Sequence, residues 1–376
     1  MNKMIRLNLL ILTLIFTLGK THLIAQNQEI KTFYDDQKSK VKEVFQQANG
    51  VKNGVYTLYY ESGSLAALGQ YINGKREGVF VDYYPETGDT LRVSTFRNGK
   101  KEGPSVSYFE NGNISQKVSY VENQIQGELI SFFESGEVRQ RASFNADRPN
   151  GTTLIYRESG QVLEEKNYSN GVLEGEQLSF YDDGTVSAKS NFKKGQIHGE
   201  QISFHEDGSI RSKANFKKGY QHGEFLQFHS DGSLSKKGKY KNGDPDGEFK
   251  SYHPNGQLDE VSKYKKGFPV GTFTSYYENG ANREKTYHDR YNQLSQIISY
   301  YETGQVMKVV NFEGGRQHGM TIVYHENGNV REELPYRRGK IHGIQKIYTE
   351  SGELVAERFF EEGKLTRQTD LRKKEQ

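Results

Sequence analysis

The chain of 376 residues contains no cysteine, and this absence excludes two common ways of stabilising or anchoring a protein. Disulfide bonds and lipid attachment at cysteine both require a thiol. Hydrophobic residues make up 33% of the chain, a low fraction for a globular protein of this length. Only seven prolines accompany 40 glycines, 25 tyrosines and 21 phenylalanines, a combination that favours many short strands and tight turns.

Residues 1–25 differ in character from everything that follows. Two basic residues precede an apolar run over 7–18, and Ala25 offers a small residue for cleavage. This pattern predicts a secretory signal peptide, and therefore export to the periplasm, the cell surface or the medium. Leu23 stands where a small residue is preferred, so an uncleaved anchor is the alternative.

The chain also lacks a charge excess once this leader is removed. The leader holds three of the 51 basic residues and none of the 48 acidic ones, so the remainder carries no net charge. Binding to nucleic acid depends on a surplus of lysine and arginine that neutralises phosphates. The overall balance therefore predicts no nucleic-acid partner.

A glycine recurs every 24 residues along most of the chain, which marks a repeat protein. The series holds from Gly112 to Gly352, Gly88 continues it upstream, and Gly63 lies one residue out of step. Four residues before each of these thirteen glycines stands an aromatic residue: Tyr59, Tyr84, Tyr108, Phe132, Tyr156, Phe180, Phe204, Phe228, Tyr252, Tyr276, Tyr300, Tyr324 and Tyr348. One supersecondary unit, copied about 13 times, must account for the fold.

Each copy has the pattern of a β-hairpin. In the copy 199–219, apolar and polar residues alternate on both sides of Asp207-Gly208. Such alternation around an Asp-Gly or Asn-Gly pair is the strongest short-range signal for a hairpin. A second turn at Gly219 leads into the next copy, and we expect glycine there because the turn requires positive φ. The copies therefore form an antiparallel meander.

A second aromatic series follows the first-turn glycines by eight residues, with His288 the one exception, and it predicts how the copies pack. We expect the two aromatic residues of a copy, such as Phe204 and Phe216, to lie on one face of the sheet. A single hairpin buries too little apolar surface to fold alone, so neighbouring copies must stack these residues. The predicted fold class is all-β, an elongated antiparallel β-hairpin repeat array.

The ends of the array and one internal copy depart from the pattern. Residues 26–50 are interpreted as an N-terminal cap or degenerate repeat, with a short helix over 38–47 as the alternative. The array spans 51–363, and the polar residues 364–376 are expected to form a frayed tail. Near 287–295 the expected glycines are absent; this is either a turn that has drifted or a kink that contacts a partner.

Histidine is the residue type that most resembles a site. His198, His222, His318 and His342 precede a second-turn glycine, and His205, His229, His253 and His325 lie three residues before a first-turn glycine. Equivalent atoms should recur about 9–10 Å apart, because one copy contributes two strands. Metal ligands must all lie about 2 Å from one ion. We therefore interpret these histidines as repeat residues and predict no metal site, no catalytic residue and no cofactor.

Two motifs carry a resemblance to a known family. The segments 276–280 (Tyr-Tyr-Glu-Asn-Gly) and 193–199 (Lys-Lys-Gly-Gln-Ile-His-Gly) alternate along the chain. This alternation resembles the MORN repeat, specifically its bacterial variant form, over about residues 50–363. The resemblance implies β-hairpin arrays that bind proteins, and in some eukaryotic members lipids, without enzymatic activity. Proteins built from the variant repeat are also similar to those called antitoxin components of bacterial toxin–antitoxin modules.

The leading functional hypothesis is an exported, non-catalytic scaffold that binds other proteins. An active site is a unique feature in a sequence, whereas this sequence is nearly periodic. Two alternatives remain open at this point. The chain is an antitoxin-like neutraliser of an exported toxin, or it binds a membrane surface or a polysaccharide. The sequence names neither the partner nor the oligomeric state.

Overall fold

The structure is a computed structural model that describes residues 28–371, and the predicted signal peptide over 1–25 lies outside them. The described residues form β-strands and tight turns, with no helix among them. The described residues divide into two compact units, one that ends at residue 161 (unit 1) and one that begins at residue 162 (unit 2). Within each unit the pairing is antiparallel, as the sequence predicted: each long strand pairs with the next long strand along the meander, and each two-residue strand pairs with the long strand before it.

The strands of unit 1 are β1 (Gln28–Phe33), β2 (Val41–Ala48), β3 (Val51–Tyr59), β4 (Leu65–Ile72), β5 (Lys75–Tyr83), β6 (Thr90–Arg97), β7 (Lys100–Tyr108), β8 (Ile114–Val121), β9 (Gln124–Ile125), β10 (Gly127–Phe132), β11 (Val138–Asn145) and β12 (Arg148–Tyr156).

The first half of the strands of unit 2 comprises β13 (Val162–Ser169), β14 (Val172–Leu173), β15 (Gly175–Phe180), β16 (Val186–Lys193), β17 (Gln196–Phe204), β18 (Ile210–Lys217), β19 (Tyr220–Phe228), β20 (Leu234–Lys241), β21 (Asp244–Pro245), β22 (Gly247–Tyr252), β23 (Leu258–Lys265) and β24 (Phe268–Pro269). The second half comprises β25 (Thr272–Tyr276), β26 (Asn282–His288), β27 (Leu294–Tyr300), β28 (Val306–Glu313), β29 (Arg316–Gln317), β30 (Gly319–Tyr324), β31 (Val330–Arg337), β32 (Lys340–Ile341), β33 (Gly343–Tyr348), β34 (Leu354–Glu361) and β35 (Lys364–Asp370).

The first turn of each repeat is a short loop closed by the periodic glycine. Between β17 and β18, the N–H of His205 donates to the carbonyl of Ser209 at 2.8 Å, and the N–H of Gly208 donates to the carbonyl of His205 at 3.0 Å. Gly208 has a φ of 82°, in the left-handed region that a Cβ disfavours. The strand register shifts by one residue just before the loop. A turn followed by a bulge of this kind explains why glycine returns every 24 residues.

The second turn is a two-residue loop that also fastens one repeat to the one before it. Lys217 pairs with Tyr220, and the two residues between them have φ angles of 53° (Lys218) and 83° (Gly219). Two consecutive positive φ angles are typical of a type I′ turn. The N–H of Gly219 donates to the carbonyl of Ile197 in the preceding repeat at 2.9 Å. The predicted requirement for positive φ is confirmed, and the turns are held in a row.

The expectation that Phe204 and Phe216 share a face is wrong. Pairing places Ala214 opposite Gln201, so these two residues and Phe216 lie on one side of the sheet, here called face A. Phe204 follows Gln201 by three residues on β17 and therefore lies on the opposite side, face B. The cause is the bulge beside the first turn, which adds one residue to β18 and breaks the simple period of two.

Face A of unit 1 carries a compact aromatic core. Tyr56, Phe80 and Phe96 are buried, and Phe45, Leu58 and Tyr71 pack against them. The rings of Phe80 and Phe96 meet edge to face with centroids 5.1 Å apart. In this arrangement the positive edge of one ring faces the negative face of the next.

Face A of unit 2 carries a longer row of rings between β19 and β26. Contacts between successive ring centroids, at 4.7 to 6.0 Å, link Phe225, Tyr240, Phe249, Tyr264, Phe273 and His288. Phe249 is 5% exposed and lies directly on Gly238, where an added Cβ would come within 2.2 Å of the ring. A glycine in a strand interior is therefore required here by close packing.

The out-of-step glycine at position 63 reflects a longer loop in the next repeat. The N–H of Tyr84 donates to the carbonyl of Asp89 across a loop with one extra residue. Tyr83 pairs with Thr90, as Tyr108 pairs with Ile114 one repeat later. Tyr83, and not Tyr84, therefore occupies the strand-end aromatic position in this copy.

Both ends of the described chain are extended strands. Residues 28–48 form the hairpin β1–β2, so the alternative of a helix over 38–47 is wrong. At the other end, residues 364–370 form β35 along β34, where the sequence suggested a frayed tail. The edge of β34 offers backbone N–H and C=O groups, and a polar segment can pair with them whatever its side chains.

Candidate functional site

Histidine and tyrosine share one repeat position, three residues before the first-turn glycine, and make the same contact there. Nε2 of His229 lies 2.9 Å from the carbonyl oxygen of Tyr252 in the next repeat. The hydroxyl of Tyr277 donates to the carbonyl of Tyr300 at 2.8 Å. The equivalent contact recurs at Tyr60, Tyr181, His205, His253, Tyr301 and His325. It also recurs at Tyr84, which lies four residues before Gly88 because of the longer loop, and at Tyr34, where Gln37 stands in place of the glycine. These side chains join consecutive repeats along the row of first turns.

The second group of histidines lies one residue before a glycine that follows the second turn. Nδ1 of His222 accepts the backbone N–H of Asn242, and Nδ1 of His342 accepts that of Glu362, both at 3.4 Å. Carboxylates and amides make the same bond in other repeats, at Asn53, Glu77, Glu102, Gln126, Glu174 and Asp246. His318 lies instead 3.5 Å from Glu313, and His198 holds the same repeat position. This position caps the second turn of the following repeat.

Six of these eight histidines therefore contact the neighbouring repeat, and the eight do not converge. Within residues 28–371, no three histidine, aspartate or glutamate side chains lie close enough together to hold a metal ion. That part of the chain also contains no helix long and apolar enough to cross a membrane. The absence of a catalytic, cofactor or metal site stays a prediction.

The irregular copy at 287–295 keeps its strands and changes the type of its turn. The N–H of Asp289 donates to the carbonyl of Gln293 at 2.8 Å, and Asn292, with a φ of 62°, takes the place of the glycine. His288 continues the row of rings, with its centroid 4.7 Å from that of Phe273. A loop with first-turn geometry thus stands among second turns, and its tip residue, Tyr291, is 66% exposed.

The second turns of unit 2 carry a run of lysines, here called the lysine edge. It comprises four consecutive turns between β16 and β24 and the exposed side chains of Lys193, Lys194, Lys217, Lys218, Lys241, Lys265 and Lys266. No ion pair joins any of these seven to a carboxylate in the described residues. Equivalent lysines are about 9–10 Å apart, since two strands separate them.

Aromatic side chains stand among these lysines. Tyr220 and Phe268, each the first residue after a second-turn glycine, are both 61% exposed. Tyr220 lies against the next turn, 3.4 Å from the position of a Cβ on Gly243, which keeps its ring on the surface. Tyr291 stands on the following turn of the same row. The lysine edge and its neighbouring turn therefore present three rings to solvent.

The first turns of unit 2 lie along the opposite edge, because successive turns of a meander alternate between edges. Their exposed carboxylates, here called the carboxylate edge, are Glu206, Asp207, Asp231, Glu278, Glu302, Glu326 and Glu350. The turns stack in a row here too, because the Nδ2 of Asn279 donates to the carbonyl of Glu302 at 3.2 Å. The seven lysines and the seven carboxylates thus lie on opposite edges of unit 2, and the second turns also hold the acidic residues Asp244, Glu313, Glu361 and Glu362.

Part of this edge is held ionised by the turn itself. Oδ1 of Asp207 accepts the hydroxyl of Ser209 at 2.6 Å and its backbone N–H at 2.8 Å. These hydrogen bonds lower the pKa of Asp207, and the Ser233 hydroxyl lowers the pKa of Asp231 in the same way. The aspartates therefore have a structural role in the turn and remain negatively charged.

The overall balance of basic and acidic residues does not reveal that the two edges differ in charge. The signal was present as two series with the repeat period, since lysine recurs at 193, 217, 241 and 265 and glutamate at 278, 302, 326 and 350. Net charge averages over both edges and hides them. Only the assignment of each series to one kind of turn shows that they lie apart.

The fold and its two rows of turns define a β-hairpin repeat protein. The sequence matches the family described as MORN repeat variant over residues 52–73, 101–122, 149–170, 173–194, 197–218, 221–242, 245–266, 317–338 and 341–362, just over half of the chain. The chain belongs to this family. No curated protein matches it significantly.

Solved structures resemble the chain only distantly. One is the crystal structure of TcdB2-TccC3, with 11% identity and a TM-score of 0.17, which covers 91% of this chain and 20% of that one. Another is the Photorhabdus luminescens Tc holotoxin pore with a mutation in TccC3, with 12% identity, a TM-score of 0.15 and coverage of 90% and 18%. This chain spans about a fifth of the length of those proteins.

Proposed function

We propose that this chain is an exported, non-catalytic repeat scaffold that binds other proteins through the lysine edge. The observation that carries the proposal is the exposure of Tyr220 and Phe268 among seven lysines without carboxylate partners. Aromatic side chains are enriched where proteins meet, because they bury much area and lose little conformational freedom. The contacts of the histidines between repeats support a role without catalysis. Export rests on the leader-like sequence over 1–25.

Photo-crosslinking from the lysine edge tests the proposal. A photoreactive phenylalanine analogue replaces Tyr220 in the full-length chain, expressed in a cell that exports it. The matched control places the same analogue at Tyr34, which is 41% exposed and lies in unit 1. We expect protein adducts from position 220 and not from position 34. Equal adducts from both positions, or none from position 220, contradict the proposal.

The number of adducts separates the scaffold from an antitoxin-like neutraliser. Several partners support a scaffold, whereas a single stoichiometric partner that loses its toxicity on binding supports the neutraliser. Export is tested separately, because deletion of residues 1–25 should retain the protein in the cytoplasm. A leaderless chain that still reaches the medium or the periplasm contradicts that part.

A membrane surface or a polysaccharide is the second candidate, and the lysine edge itself favours it. Rows of lysine with exposed aromatic rings attract anionic surfaces and bury rings at their boundary. Vesicles with and without anionic lipid, and an acidic polysaccharide, are the probes for this alternative. Retention of the purified chain on either probe, lost when Tyr220 and Phe268 are replaced by serine, would favour it over a protein partner.

A further inference from the structure

The two edges of unit 2 match each other in charge, in spacing and in length. The lysine edge has four consecutive turns with a lysine at the same place, Lys193, Lys217, Lys241 and Lys265. The carboxylate edge has four consecutive turns with a glutamate at the same place, Glu278, Glu302, Glu326 and Glu350. Because both series follow the same 24-residue period, the side chains within each recur about 9–10 Å apart.

We propose that the lysine edge of one copy docks along the carboxylate edge of a second copy, turn against turn, so that the chains assemble side by side. The inference rests on the proposed function, since it names the occupant of the same interaction surface. Charge complementarity between two rows of equal period selects this partner. When one lysine meets one glutamate, the other three pairs come into reach with no change in either chain.

The lysines of the lysine edge and the glutamates of the carboxylate edge are too far apart to form ion pairs within one chain. Lys217 and Glu302 lie on opposite edges of unit 2 and are at least the length of a nine-residue strand apart, about 30 Å. Ion pairs act over a few ångströms, and at physiological salt exposed charges this far apart are screened from each other. The two rows of turns therefore do not pair with each other within one chain.

The carboxylate edge also has two shallow depressions, at first turns that precede the four turns of the glutamate series. One is lined by Tyr181, Asp182, Asp183 and Glu206. The next, one turn further on, is lined by Tyr181, His205, Glu206, Asp207, Arg211 and Ser230. An ammonium group in the first would meet carboxylates and the side of an aromatic ring, both of which attract a cation.

The overall charge of the chain favours such an assembly. Basic and acidic residues balance once the leader-like segment is set aside, so no net repulsion opposes contact between copies. The contact joins two different surfaces, and each docked copy leaves one edge of each sign free. Interfaces of this kind grow without closing. Each ion pair is weak, and the assembly depends on several acting together.

Sedimentation velocity of the purified chain, without its leader, tests the first consequence. At about 0.01 M salt, where charges interact over about 30 Å, we expect species larger than a monomer whose size increases with concentration. At about 1 M salt, where the range is about 3 Å, we expect monomers. A chain that stays monomeric at low salt over the whole concentration range overturns the proposal.

Charge reversal tests which surfaces meet. The first variant carries Lys193→Glu, Lys217→Glu, Lys241→Glu and Lys265→Glu, and glutamate already occupies this place at Glu313 and Glu361. The second variant carries Glu278→Lys, Glu302→Lys, Glu326→Lys and Glu350→Lys. We expect each variant alone to be monomeric and an equimolar mixture to assemble, because the four places of both series then hold glutamate in one chain and lysine in the other.

The mixture also shows that both variants are folded, because an unfolded chain would not restore assembly. A matched control reverses exposed glutamates on face B with Glu176→Lys, Glu200→Lys and Glu224→Lys, and we expect it to assemble as the original chain does. If a mixture of the two edge variants stays monomeric, or if the face B control abolishes assembly, the proposed contact is wrong.

Cysteine crosslinking tests the contact itself, helped by the absence of any natural cysteine. A chain with Lys217→Cys and Glu302→Cys should form a ladder of covalent dimers, trimers and longer products under mild oxidation at low salt. Chains with only one of the two cysteines should stop at dimers. Failure of the ladder while photo-crosslinking at Tyr220 still captures other proteins overturns self-assembly and leaves the scaffold function standing.

Discussion

Two stretches of unit 2 have the same strand pairing but differ in what fills face A. Between β19 and β26 aromatic rings contact one another in a continuous row. Between β15 and β18 the corresponding strand position holds Gln177 and Gln201, and the amide of Gln201 donates to the hydroxyl of Ser190 at 3.0 Å. The β-ladder and the two turns are nearly unchanged between the stretches.

The comparison indicates that the backbone and the turns specify this fold, while the side chains of face A set its local stability. Strand pairing and turn geometry recur whether the interior is aromatic or polar. Because each repeat contacts only its neighbours, stability in such arrays is a sum of local terms. We therefore expect the aromatic stretch to be the most stable part of unit 2 and the glutamine stretch to open more readily.

Removal of the Phe249 ring should have the largest effect on the difference in stability between the aromatic and the glutamine stretch. Phe249 is 5% exposed, and in Phe249→Ala the neighbouring rings of Tyr240 and Tyr264 lose their contacts with it. We expect a loss of about 3–5 kcal/mol in the free energy of unfolding of β20 to β23. Hydrogen exchange of the amides in these strands measures it. The matched change Gln201→Ala should cost about 1 kcal/mol in its own repeat, and equal costs would contradict the comparison.

Addition of one methyl group beneath the same ring should also destabilise the aromatic stretch. In Gly238→Ala the new Cβ would come within 2.2 Å of Phe249, so the ring or the strand must move. We expect a loss of about 1–3 kcal/mol, measured by urea unfolding. Ala214 holds the same position one repeat earlier and is tolerated there. A neutral effect of Gly238→Ala would show that the ring shifts freely, which argues against close packing.

The hydrogen bonds that join consecutive repeats along the first turns should contribute equally to the stability of both stretches. In His229→Phe the ring remains but the hydrogen bond to the carbonyl of Tyr252 is lost, with an expected cost of about 1 kcal/mol. His229→Tyr should keep the bond, because Tyr277 makes it in another repeat at 2.8 Å. Urea unfolding of the two variants provides the test. If both lose the same stability, the contact contributes by packing alone.

The smallest expected effect is on the loss of thermal stability at acidic pH. The hydroxyls of Ser209 and Ser233 lower the pKa values of Asp207 and Asp231 in the folded chain. A lowered folded pKa contributes stability above the unfolded value of about 3.9, and this stability is lost as pH falls through the folded pKa. We expect the double variant Ser209→Ala, Ser233→Ala to have a shallower fall in thermal midpoint below about pH 4. An unchanged slope would show that these bonds do not couple to folding.

Much of the fold could be predicted because the repeat period fixes the turns. The glycines at 208 and 219 have φ of 82° and 83°, a backbone requirement that leaves a mark in every copy. The alternation of strand residues could not predict that Phe204 and Phe216 lie on opposite faces. The bulge that puts them there is not marked by a characteristic residue in the sequence. The extra residue near Tyr84 was visible, but its position inside the loop was not.

The candidate site shows the same division. The repeat spacing predicts that His205 and His229 are repeat residues, but it does not show that each contacts a carbonyl oxygen in the next copy. That contact depends on how far neighbouring hairpins lie apart, which is a property of the sheet. The periodic lysines can likewise be found in the sequence, but only the structure shows that their turns lie along one edge.

The sequence by itself determined the period, the hairpins and the turns, because each is a local backbone constraint repeated within a few residues. The tertiary structure decided which side chains share a face, which atoms join one copy to the next, and which charges lie on the same edge. These relations depend on strand pairing within and between repeats, and pairing is set by bulges and loop lengths that side-chain patterns alone do not encode.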